Sequence, residues 1–174
     1  NDVTNPVLAF TIDLSLYGGG ANSVAFQNGV LAAAVEDTIK QNNGKAVFFD
    51  ALGNYINQVT IGALPDMICF TPNGKKVLVA NEGEPSSDYL VDPQGTVSII
   101  DITDSSNVIT LDFTAFDTIT LSNEIRVFGP GALPSTDFEP EYISVSKNSK
   151  FAYVTLQENN AIATINLTTN QITS

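Results

Sequence analysis

Eight carboxylates sit where the chain is rich in Gly, Pro and Ser and are the residues best suited to chemistry. Glu82, Glu84, Asp88 and Asp92 share one short run, Asp137, Glu139 and Glu141 another, and Asp66 follows Pro65 at the head of an apolar run. With no histidine in the chain and a single cysteine, such a group favours a hard cation bound through oxygen. Calcium comes before magnesium, because Ca2+ accepts about 6–8 oxygens in flexible geometry whereas Mg2+ demands a fixed octahedron. All eight are therefore candidate metal ligands. The run from Glu82 to Asp92 lacks the spacing of an EF-hand loop, so the alternative, solvated loop charges on an acidic protein, stays open.

Composition removes other chemistries. Without histidine there is no Ser-His-Asp triad, no His-ligated zinc or iron and no histidine base. Cys69, within the apolar stretch Met67 to Phe70, reads as a small buried hydrophobe. A formal net charge of -12 repels phosphate backbones and anionic lipid headgroups, so nucleic acid and direct membrane insertion are not expected. Gly18-Gly19-Gly20 lacks the strand-turn-helix setting of a nucleotide loop and reads as a connector. No run approaches the roughly 20 apolar residues of a membrane span. Asn1 to Pro6 does not resemble a signal peptide and there is no initiator Met, from which a processed or truncated product is expected.

The elements that must position the carboxylates repeat three times. Asn22–Phe26, Asp66–Phe70 and Glu141–Val145 each read as a short alternating strand followed by a turn rich in Asn, Gly, Ser and Lys. Second strands are expected at Val30–Val35, Val77–Asn81 and Phe151–Leu156, and third strands at Lys45–Asp50, Thr96–Asp101 and Ala161–Asn166. Fourth strands are expected at Tyr55–Ile61, Val108–Phe113 and Gln171–Ser174. The interval from Val24 to its equivalent Ile68 matches the ~40–45 residues of a four-stranded propeller blade. The longer interval to Ile143 holds an insertion at residues 114–137.

The expected fold is thus all-β: a β-propeller segment of three four-stranded antiparallel blades at residues 18–61, 62–113 and 138–174. Leu8–Leu16, within residues 1–17, is expected to be the outer strand of a preceding blade. Closed propellers hold about 4–8 blades, so the remaining blades are expected from a longer parent chain or from another protein chain. In a four-stranded meander, loops between second and third strands share an end with the blade-to-blade connections. That end collects the eight candidate ligands together with Glu36, Asp37, Asp117, Glu124 and Glu158, against Lys40, Lys45 and Arg126; Lys75, Lys76, Lys147 and Lys150 mark the other end. Asp66 and Glu141, opening first strands, are expected nearest the axis. They have a structural reading too, as acceptors for backbone donors of the neighbouring blade.

Several long motifs carry a family resemblance: residues 62–75 (GALPDMICFTPNGK), 79–88 (VANEGEPSSD), 91–101 (VDPQGTVSIID), Phe128–Gly131, Phe138–Ile143 and Tyr153–Ile162. From about Gly18 onward the chain resembles the choice-of-anchor I domain family. That family includes cell-surface glycoproteins of biomineralising animals and bacterial surface proteins, some labelled alkaline-phosphatase-like. The resemblance implies a propeller of roughly seven blades and an exported protein held at the cell surface by a separate C-terminal anchor. Cys69 stands where Val or Thr is more usual, and Leu90 replaces a commoner polar residue. No catalytic residues carry over.

Three functions compete at this stage. The first is an extracellular binding or structural platform that takes calcium and meets extracellular matrix or surface components. The second is a metal-dependent phosphoesterase using a metal-held water, and the third is a subunit of a surface filament or sheath whose exposed blade edges pair with another copy. Asn166-Leu167-Thr168 is a glycosylation sequon that matters only in a eukaryotic secretory setting.

Overall fold

A computed structural model describes residues 4–104, 106–128 and 131–174. Gly129 and Pro130 of the Phe128–Gly131 motif lie outside them. Three four-stranded antiparallel sheets follow one another along the chain, each a simple meander. The first holds β1 (Gly20–Gln27), β2 (Val30–Glu36), β3 (Asn43–Asp50) and β4 (Tyr55–Ala63). The second holds β5 (Pro65–Phe70), β6 (Lys76–Asn81), β7 (Thr96–Asp101) and β8 (Val108–Leu111). The third holds β9 (Pro140–Val145), β10 (Phe151–Leu156), β11 (Ala161–Asn166) and β12 (Gln171–Ile172).

Local chemistry explains the reversals. Asn28 and Gly29, at φ 51° and 81°, form the two-residue turn that matches the twist of a tight hairpin. The second and third sheets build a longer first turn from the same hydrogen bonds on different residues. Thr71 Oγ1 donates to Asn73 Oδ1 at 2.8 Å and accepts from Lys76 N at 3.1 Å; Ser146 Oγ donates to Asn148 Oδ1 at 2.8 Å and accepts from Phe151 N at 3.0 Å. Third strands end on Asp50, Asp101 and Asn166, whose Oδ1 atoms each accept the backbone N–H two residues on.

Packing follows the two-residue alternation of a strand. Val77 and Val79 of β6 meet Ala32, Ala34, Ala46 and Phe48 of the first sheet, while Leu78 and Ala80 meet Ala152, Val154 and Leu156 of the third. Both faces of the middle sheet are therefore buried, which is why residues 77–81 read as an almost unbroken apolar run. The outer faces differ. The far face of the first sheet, with Ala33, Val35, Val47 and Phe49, is covered by Ile12, Leu14 and Tyr17. The far face of the third leaves Tyr142, Tyr153 and Ile162 at 61%, 45% and 63% exposure.

Leu8–Leu16 forms no strand. A strand needs a ladder partner, and among the described residues none runs beside this run; Ile12 and Leu14 lie on the first sheet's face instead, Leu8 and Leu16 are exposed, and Tyr17 stacks on Tyr55 with ring centroids 5.7 Å apart. The insertion contributes a 3-10 turn at Thr114–Phe116 and one helical turn, α1 (Pro134–Asp137). Phe113, Phe116 and Phe138 pack there against one another and onto the core between the second and third sheets.

These two environments give opposite expectations for truncation. Leu78→Ala, at a site with no exposure, should cost about 2–5 kcal/mol in urea denaturation of the 174-residue chain, and Tyr153→Ala less than about 1 kcal/mol. Equal losses would show that the third sheet's far face is packed in solution.

Candidate functional site

The acidic end is assembled by close backbone contact between the second sheet and its neighbours. Glu82 N donates to Leu64 O at 2.9 Å and Gly83 N to Ala63 O at 3.3 Å, tying the base of the β6–β7 loop to the preceding connection. Gly83, at φ 76°, lies against the backbone of Gln94 and Gly95. Gly95 in turn meets the Phe138 carbonyl so closely that a Cβ would clash with it, with the Pro140 ring and with the Glu82 carbonyl. Only glycine fits at such a position. That approach brings Glu82 beside the chain entering β9, where Glu139 and Glu141 lie.

Two buried asparagines fix the surroundings. Asn159, wholly buried, donates through Nδ2 to Arg126 O, Asp137 O and Asp137 Oδ2 at 3.0, 2.9 and 3.0 Å, and its Oδ1 accepts from Glu139 N at 3.2 Å. It clamps the insertion to the third sheet. Asn81, also wholly buried, donates to Thr96 and Ser98, and among the described residues its Oδ1 has no hydrogen-bond partner. Sequence reasoning missed both. The one available signal was a polar residue at or just past the end of a strand, followed or preceded by an acid.

Burial, with repulsion from neighbouring carboxylates, raises the proton affinity of this group. Glu82 is pushed up to about 7 by burial first, then by Asp66, Glu84, Glu141 and Glu158. Glu139 is pushed up to about 7 by burial, then by Glu158, Glu82, Asp137 and Glu84. Glu141 is raised by burial, Asp66 and Glu158, and Asp66 by burial. Among the described residues the carboxylates of Asp66, Glu82, Glu139 and Glu141 accept no hydrogen bond, and the ion pair found, Lys40 to Glu84 at 4.0 Å, is exposed. At the equivalent place in β1, Asn22 makes a neighbour-blade bond of the opposite sense: its Nδ2 donates to Pro65 O at 3.1 Å.

Of the eight candidate ligands, Asp66, Glu82, Glu84, Glu139 and Glu141 converge electrostatically, and Glu158 joins them although the sequence did not single it out. Asp66 and Glu141 lie on β5 and β9; β5 packs against both β1 and β9, so first strands line the inner edge and neither residue is on an outermost strand. Asp92 is raised by burial and then by Asp137. The Asp137 carboxylate is engaged by Phe128 N at 3.0 and 3.1 Å and by Asn159. Asp88 stands apart: the Ser86 hydroxyl and Leu90 N–H hold its carboxyl below the usual range at an exposed turn. Among the described residues no three such side chains stand close enough together to hold a metal ion as they are placed.

The geometry is that of a face rather than a point, and the comparisons agree on the scaffold beneath it. The model of the choice-of-anchor I domain matches residues 1–174. The chain belongs to that family. No curated protein matches it. Among solved structures, a eukaryotic initiation factor aligns at 16% identity and TM-score 0.59 over 94% of this chain and 33% of its own. Hydrazine synthase of Kuenenia stuttgartiensis aligns at 17% identity and TM-score 0.59, over 85% and 40% respectively. The β-propeller domain of the Trilobed protease of Pyrococcus furiosus aligns at 10% and TM-score 0.50, over 88% and 41%. Such likeness shows a β-propeller fold, and the chain spans well under half the length of these structures. Among the described residues no helix is long and apolar enough to cross a membrane.

A raised carboxyl pKa stabilises the folded state fully below the unfolded value, near 4.5, and this is lost as pH rises through the folded value near 7. The melting temperature is expected to fall between pH 5 and 7.5, and Glu82→Gln with Glu139→Gln to flatten that slope and raise Tm at pH 7.5. Thermal melts across the window check this; a Tm rising with pH there would contradict it.

Proposed function

We propose that this segment belongs to an exported, cell-surface β-propeller that works as a binding platform, with its acidic end as the ligand face and calcium as a ligand there. The observation that carries the reading is the convergence of half-buried Glu82, Glu139 and Glu141, whose carboxylates, among the described residues, accept no hydrogen bond and pair with no cation. Uncompensated charge of that kind is costly unless something neutralises it. Calcium suits it because carboxylates of two connections, completed by backbone carbonyls and water, fill a shell of about 6–8 oxygens without strict geometry. The carboxylates are spread too widely to hold the ion as they stand, so binding would draw the β6–β7 loop toward the chain entering β9.

The family supports the cell-surface placement. The bare aromatic face of the third sheet supports a partner: a further blade, from a longer parent chain or another protein chain, would cover it as the second sheet covers its opposite face.

Calcium binding must stabilise the folded state by mass action, by about 2.7 kcal/mol at 100 times the dissociation constant. Calorimetric titration of the chelator-treated protein, paired with thermal melts, should show heat and a raised Tm, both weakened by Glu82→Gln with Glu139→Gln. No heat and an unchanged Tm would return these residues to solvated charges.

A further inference from the structure

Beside the inner carboxylates, the β6–β7 loop and the insertion enclose a cleft of about 710 Å3 whose walls differ from those of an ion site. Tyr89 and Phe128 line it at 76% and 58% exposure, together with Pro85. Asp92, Glu139 and Glu158 supply negative charge, and no Lys or Arg lines it. We propose that this cleft binds an organic ammonium group, the charged end of an amine or of a lysine side chain, held between its carboxylates and its aromatic rings.

Three observations separate that ligand from a hard metal ion. The carboxylates are dispersed along the walls and do not converge within metal-holding distance, which fits a cation carried on a chain. Calcium gains nothing from an aromatic wall, whereas an alkylammonium is attracted to the face of Tyr or Phe and buries its methylenes against it. Phe128 already accepts a cation within the protein, since the Arg126 guanidinium lies 5.8 Å from its ring centroid. The cleft volume also falls within the range of small-molecule sites. The inference goes beyond the calcium reading, sharing Asp92, Asp137, Glu139 and Glu158 with it but not the rings.

The test uses 1,5-diaminopentane as the small amine, a blocked lysine tripeptide as the protein-borne amine, and 1-pentanol as the uncharged control. Titrations are followed by calorimetry and by shifts of the Tyr89 and Phe128 amide signals. The ammonium probes should bind and the alcohol should not; tighter binding of the tripeptide assigns the site to a protein partner, and of the diamine to a free amine. Tyr89→Ala with Phe128→Ala should weaken ammonium binding at least about tenfold while leaving calcium affinity and Tm as they were, because both rings are exposed. Failure of calcium alone leaves the cleft standing. The proposal is overturned if the ammonium probes do not bind at millimolar concentration, or if the double aromatic variant binds them as well as the parent does.

Discussion

The arrangement depends on the burial of both faces of the middle sheet. Once β6 and β7 are covered on each side by a neighbouring sheet, the three first strands gather along one edge and their flanking connections share one end. The carboxylates on those connections then have nowhere to separate. Apolar packing of Val77, Leu78, Val79 and Ala80 thus holds together charges that repel one another. The small side chains Ala32, Ala34 and Ala46 facing the middle sheet, and Gly95 against the Phe138 carbonyl, keep the stack close.

Most of the fold was legible because its signals are local and repeated. Alternation, β-branched third strands and turn residues placed the twelve strands of the described residues within two residues at each end, β12 stopping at Ile172. Leu8–Leu16 misled because an apolar alternating run looks the same whether it pairs with a strand or lies on a sheet face. Its partner decides, and partners are not written locally.

The site was legible as an end of the molecule but not as a set of contacts. Topology put Asp66, Glu82, Glu139 and Glu141 together, whereas Asp88 belongs to its own turn and Asp137 to the clamp at Asn159. Such distinctions turn on a hydroxyl two residues away, or on an asparagine 22 residues later. Glu158 was legible at the acidic end but not as a member of the group, because the four-residue connection 157–160 gives no pattern to read, and the roles of Asn81 and Asn159 turn on partners 15 and 22 residues away.

The lysine turns at the opposite end have a consequence at longer range. Lys76 Nζ donates to Leu167 O and to Asn170 Oδ1 at 2.6 and 2.8 Å, and Lys75, Lys147 and Lys150 lie in turns at the same end, which they share with Asp50, Asp101 and Asp104. That end is close to neutral while the other carries nearly all of the net -12, so the segment has a large dipole moment along its inner edge. An external electric field therefore exerts a torque on the segment that turns its lysine end and its carboxylate end in opposite directions.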